Sequence, residues 1–77
     1  MPDGNLATLV ELICQIGDIR GLTPDQDFYD AGFSSVNVLP LLMEVEDRFQ
    51  VSIPDERFIS ARTARGLQEV IAGLKES

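Results

Sequence analysis

The chain has 77 residues, 44% of them hydrophobic, and its 13 acids against six bases give a net charge of −7. A chain this short buries only roughly 60% of the surface it exposes when unfolded, which suits one small domain, 1–77, and leaves little room to enclose a substrate with a catalytic apparatus. With no histidine and with Cys14 as the single cysteine, imidazole bases, histidine metal sites, CxxC redox pairs and an intramolecular disulfide are excluded, and the acidic balance repels nucleic acid and anionic membranes.

The charge is unevenly spread. Residues 1–56 carry net −9 and residues 57–77 net +2. The larger part attracts basic protein surfaces, although the same charge also serves plain solubility. Arg57, Arg62 and Arg65 form a small positive cluster near the end. The opening Met1-Pro2-Asp3-Gly4 has no basic region, and the longest nearly apolar run, Val36 to Met43, is broken by Asn37 and Pro40. No targeting or spanning segment is predicted, and the expected location is the cytoplasm.

In chain order, Leu6, Leu9, Val10, Ile13 and Ile16 fall on one face of an amphipathic helix, with Asp3 or Asn5 as cap and Gly17 as stop. Cys14 lies off that stripe and reads as a partly buried helix residue. From Gly17 to Ser34 the periodicity disappears among turn formers such as Gly21, Pro24, Asp30 and Gly32. So long a connection in so small a domain needs an anchor; Phe28 is the expected one.

A second helix is predicted from Ser35 to Gln50. Val38, Leu42, Val45 and Phe49, with Leu41 beside them, form its core stripe. Val36, Leu39 and Met43 form another stripe, rotated away from the first. Either it packs beneath the long loop or it is an exposed patch for partners, and the second reading is preferred. Glu44, Glu46 and Asp47 place negative charge on the solvent side of this helix. Pro40 in its interior removes a hydrogen bond at about 3 kcal/mol. The expected result is a bent but continuous helix; the alternative begins regular structure near Asn37. Val51 to Pro54 makes an extended link, Asp55 to Ile59 a short third helix, and Thr63 caps a last helix with Ala64, Leu67, Val70, Ile71 and Leu74 inward. The fold class is all-α: a small four-helix bundle with a long loop between helices 1 and 2.

Candidate chemistry sits at Gly32-Phe33-Ser34-Ser35-Val36, where a hydroxyl pair leads into the acidic helix. A serine there is an ordinary N-cap on spacing alone. No histidine or lysine stands nearby in sequence to make it a nucleophile. It remains a good target for another enzyme, since helix-start N–H groups favour an attached phosphate.

Here the sequence resembles the acyl carrier proteins, including peptidyl and aminoacyl carriers, over nearly its whole length. The family pattern is a glycine, any residue, often aspartate, the modified serine, then an apolar residue opening an acidic helix. Gly32-Phe33-Ser34-Ser35-Val36 matches it, with Ser34 in the aspartate position. Phe28, Glu46-Asp47-Arg48-Phe49 and Val51-Ser52-Ile53-Pro54-Asp55-Glu56 match as well.

The resemblance implies that Ser35 carries 4′-phosphopantetheine, installed from coenzyme A by a Mg²⁺-dependent phosphopantetheinyl transferase. The arm's thiol would hold an acyl or aminoacyl group as a thioester. It also implies partner-facing roles for Val36, Leu39, Met43, Glu44, Glu46 and Asp47, toward a loading ligase or transferase and downstream acyl-transfer enzymes. The implied protein is a free-standing, monomeric carrier, with no catalytic residues and no metal of its own. The missing aspartate, Val36 in place of the common leucine and Pro40 in place of an acid depart from the housekeeping fatty-acid carrier. The segment Phe28 to Ser35 looks more like specialised aminoacyl or secondary-metabolite carriers. An unmodified acidic adaptor is the competing class, and a hydrolase using Ser35 lacks a base.

Overall fold

The computed structural model describes residues 2–76, with side chains from Leu6 to Lys75. Four α-helices follow in order: α1 Pro2–Gly17, α2 Val38–Phe49, α3 Asp55–Ser60 and α4 Ala64–Glu76. A 3₁₀ turn, Ser35–Asn37, leads directly into α2. No strand occurs among the described residues, as the all-α expectation required.

Helix α1 packs against both α2 and α4, and this widens its buried face. Leu9 and Ile13 from the expected stripe are fully enclosed, but Leu12, outside that stripe, is buried too. The core is completed by Leu41 and Val45 of α2, Phe58 of α3, and Ala64 and Leu67 of α4. The cap proposed at Asp3 or Asn5 falls inside α1, which begins at Pro2, and those side chains lie outside the described residues.

Helix α1 ends at Gly17 as the sequence suggests, but Asp18 is the residue that turns left-handed, with φ 54°. The Ile19 N–H then donates to the Cys14 carbonyl at 3.0 Å, closing the end of the helix. Gly17 has a different task. A Cβ there would stand 2.6 Å from Phe33 Cδ1 and 3.2 Å from Ile19 Cδ1. Phe33 is a buried ring two residues before the serine pair, with little freedom to retreat. Gly17→Ala is therefore expected to destabilise the fold by about 1–3 kcal/mol of overpacking. The helix-propensity gain of up to ~1 kcal/mol offsets only part of this. An unchanged denaturation midpoint would show that Phe33 can yield.

The long loop is fastened at several points. Phe28 is the anchor expected of it, 1% exposed, with its ring centroid 4.8 Å from that of Tyr29 and 5.1 Å from that of Phe33. Asp27 Oδ1 accepts the N–H groups of Tyr29 and Asp30, folding the chain into a turn. The Phe28 N–H donates to the Arg62 carbonyl at 2.9 Å, and the Arg65 N–H to the Pro24 carbonyl at 3.0 Å. These bonds tie the loop to the start of α4. That start is capped by Thr63, whose Oγ1 accepts the Gly66 N–H at 2.9 Å.

Pro40 does not lie in a helix interior, contrary to the expectation of a bent, continuous helix from Ser35. Because α2 begins at Val38, Pro40 occupies its first turn, where a backbone N–H has no intrahelical acceptor to lose. The alternative start next to Asn37 is the observed one, although the Asn37 side chain makes no capping bond.

Candidate functional site

The site is built where the long loop hands over to α2. Gly32 adopts φ 117°, a conformation L side chains rarely take, and reverses the chain after Ala31. Phe33 then drives into the core, and its N–H donates to the Phe28 carbonyl at 2.9 Å. The next two residues are pushed outward. Ser34 is extended (φ −91°, ψ 153°), and its Oγ accepts the Val36 N–H at 3.3 Å. Its carbonyl accepts the Asn37 N–H at 2.9 Å. Capping therefore falls to Ser34. Ser35, the first residue of the 3₁₀ turn, is exposed and contributes its carbonyl to the Val38 N–H.

This division separates the two hydroxyls by chemistry. The Ser34 oxygen has a structural bond to keep, whereas Ser35 is an exposed residue at the positive end of the helical run 35–49. Phosphate attached there meets favourable backbone dipoles.

Two apolar-walled grooves share Val38 and Ile59, and Ser35 lines one of them. One, of about 320 Å³, is lined by Tyr29, Ser35, Val38, Ile59 and Arg62. The other, of about 170 Å³, lies between α2 and α3 and is lined by Val38, Leu39, Leu42, Asp55, Phe58 and Ile59. Beyond the grooves the second stripe of α2 faces water: Val36 is 78% exposed, and Leu39 and Met43 are each 61% exposed. It does not pack under the loop.

Ile59 joins these exposed apolar residues at 57% exposure, although the spacing along the chain did not single it out. The signal available was the pair Phe58-Ile59 on a short helix. On a two-turn helix packed on one side, Phe58 fills the core and leaves Ile59 at its edge.

The three acids of α2 differ in what they do. Glu44 is half-buried and pairs with Arg48 one turn on, at 3.2 Å. Asp47 is exposed. Glu46 corrects the expectation of a solvent-facing acid: it is half-buried, and its Oε2 accepts the Ile53 N–H at 2.9 Å. The chain doubles back after Gln50, which takes the left-handed φ of 55°, and the Glu46 carboxylate satisfies the returning backbone.

The basic cluster is likewise divided. Arg65 Nε bonds Asp25 at 2.6 Å, and Arg62 Nε bonds Asp27 at the same distance. The hydrogen bond from Arg62 holds the Asp27 carboxyl below its ordinary value, against a partial opposing effect of desolvation; Arg65 does the same for Asp25. Both carboxylates thus stay ionised through the neutral range. Their contribution to stability is complete above their unfolded value near 3.8 and is lost as pH falls through the lowered folded values. Burial raises the Tyr29 phenol, with Arg62 working against it.

An exposed serine at a helix start, set beside an apolar surface on a small helical bundle, suits a carrier domain, a class of protein that is covalently modified. Comparison with known proteins agrees. The phosphopantetheine attachment site family matches residues 6–71. The acyl carrier protein of Syntrophobacter fumaroxidans (strain DSM 10017 / MPOB) is 36% identical over 67 residues, covering 83% of each chain. In three dimensions the fold superposes with a TM-score of 0.83 on the solution structure of a non-covalent extended docking domain complex of the Pax NRPS. That match has 21% identity and covers 91% of this chain and 67% of the other.

The chain belongs to the phosphopantetheine attachment family, and its cofactor is covalent 4′-phosphopantetheine. The residues fit that group, for Ser35 supplies a hydroxyl at the surface and a groove with a cation adjoins it. None of the described helices is long and apolar enough to cross a membrane.

Proposed function

We propose that this protein is a carrier, not a catalyst, with its phosphopantetheine on Ser35 and an acyl or aminoacyl group held as a thioester on the arm. The observation that carries the assignment is the division of labour between the serines: Ser34 Oγ caps the turn and Ser35 stands exposed. The bound arm supplies a thiol at the end of a flexible tether. The chain itself supplies the anchoring oxygen, a rigid helix start and a surface for partners. The departures at Ser34, Val36 and Pro40 support a specialised carrier, one loaded by an adenylating ligase or serving secondary metabolism in the cytoplasm. The neighbour from the Pax NRPS has the same fold and is consistent with that branch. Intact-mass measurement after incubation with coenzyme A and a phosphopantetheinyl transferase tests the reading, with peptide mapping to place the added mass. No gain in mass would leave an unmodified adaptor as the better description.

Partners in this proposal dock on Val36, Leu39 and Met43, flanked by Glu44 and Asp47. Glu46 serves mainly the fold. Met43→Gln is expected to change stability by no more than ~0.5 kcal/mol, as for a surface position, while slowing loading by partner enzymes. Asp47→Asn should slow loading at low salt and converge with the unsubstituted protein at high salt, because exposed charges are screened beyond ~8 Å at physiological ionic strength. A large loss of stability with intact turnover in the Met43 variant would place that residue in the core instead.

A further inference from the structure

Ser35 and Arg62 face the same groove, although 27 residues of chain separate them. Among the five residues lining it, Arg62 is the one cation. Its Nε–H is held by Asp27 at 2.6 Å, and its guanidinium carbon lies 4.9 Å from the centroid of the Tyr29 ring. These two contacts orient the plane of the group while using one of its five N–H donors. Among the described residues the terminal nitrogens make no further hydrogen bond, so their donors remain for another acceptor. A planar, oriented fork of this kind matches the non-bridging oxygens of a phosphate diester, which accept two parallel hydrogen bonds.

Arg65 provides an internal contrast. It makes a similar ion pair, with Asp25, and also fastens the loop to α4, yet it does not line the groove. If arginines here served only to balance the loop acids, nothing would distinguish the two positions. Arg62 alone combines an acid partner, an aromatic platform and a share of the serine's groove.

We infer that Arg62 is the phosphate-anchoring residue of this carrier: with Asp27 and Tyr29 fixing its orientation, its terminal N–H groups donate to the diester oxygens of an arm on Ser35. The arm then leaves the protein from a held base, and its first atoms run along the groove between Tyr29 and Ile59. This inference rests on the assignment of the arm to Ser35.

Phosphorus and arginine side-chain NMR of the loaded protein test it, after intact mass has established loading. In the unsubstituted protein, attaching the arm should shift the Arg62 side-chain resonances and leave those of Arg65 in place. Arg62→Gln should shift the phosphorus resonance, and Arg62→Lys, which keeps the charge but loses the fork, should shift it less. Arg65→Gln, which breaks the comparable ion pair outside the groove, should leave it unmoved. Loading that leaves the Arg62 resonances unshifted overturns the inference without needing any variant. So does a phosphorus signal indifferent to Arg62→Gln, or one moved equally by Arg65→Gln. A protein that gains no mass overturns the assignment of Ser35, and this inference with it.

Discussion

Replacing Ser35 by alanine is expected to abolish covalent loading, while Ser34→Ala leaves most of it. The two residues are neighbours and both are exposed, so accessibility does not separate them. Hydrogen bonding does. Ser34 Oγ accepts the Val36 N–H and is held in the extended conformation of a cap, whereas Ser35 begins the 3₁₀ turn and its hydroxyl caps nothing. Removing the Ser34 oxygen costs about 0.5–2 kcal/mol as the loss of a cap. That loosens the turn without taking away the acceptor for the arm. Removing the Ser35 oxygen leaves the transferase no atom to modify. Intact mass after exhaustive treatment with coenzyme A and transferase distinguishes the outcomes. Full loading of Ser35→Ala would move the attachment point elsewhere, and no loading of Ser34→Ala would reverse the assignment.

The second large effect is expected at Phe28. Phe28→Ala removes a ring that is 1% exposed and packed against Tyr29 and Phe33. Truncations of this kind cost about 3–5 kcal/mol. Small domains have total stabilities on the order of 5–15 kcal/mol, so little margin would remain. Each kcal/mol moves the melting temperature of a domain this size by roughly 4–8 °C. The loss is also directional in its consequences. Phe28 holds Phe33, and Phe33 sets where Ser34 and Ser35 emerge, so loading should fall at temperatures where α1 and α4 still retain helix. Calorimetry and loading rates measured on the same sample at several temperatures test this. A melting temperature within a few degrees of the unsubstituted protein would show that the loop is held mainly by its backbone bonds to Arg62 and Arg65.

Much of this architecture was legible in the sequence because it depends on local pattern. Leucine and isoleucine spacing marked α1 and α4, Thr63 marked a helix start, and the two stripes of α2 were separable by rotation alone. The isolated aromatic in a polar loop marked the anchor. What escaped depends on chain segments that meet only after folding. Leu12 is buried because α1 has two neighbours, and a single-stripe reading allows for one. Glu46 turns inward because the backbone reverses past Gln50 and brings an N–H within reach. Gly17 is small because Phe33 arrives beside it. The ion pairs of Arg62 and Arg65 span 35 and 40 residues, a separation at which sequence shows charge but not partnership. At the candidate site, the motif resemblance already pointed to Ser35 over Ser34, and the hydrogen-bond geometry adds a physical difference between the two hydroxyls.

The junction at Pro40 sets a compass bearing. A continuous α-helix from Ser35 would press the Val36 carbonyl against the Pro40 ring, which has no N–H to offer it. The tighter 3₁₀ turn cannot relax into the helix behind it while that proline is present. Three residues wound at 3.0 per turn instead of 3.6 advance around the axis by roughly 60° more than an α-helix would. Ser35 is therefore rotated by about that angle, one-sixth of a full circle, relative to where a uniform helix would put it above Leu39 and Met43. The heading from which a tether departs, measured against the surface that a partner grips, is thus written into the choice of an imino acid five residues downstream.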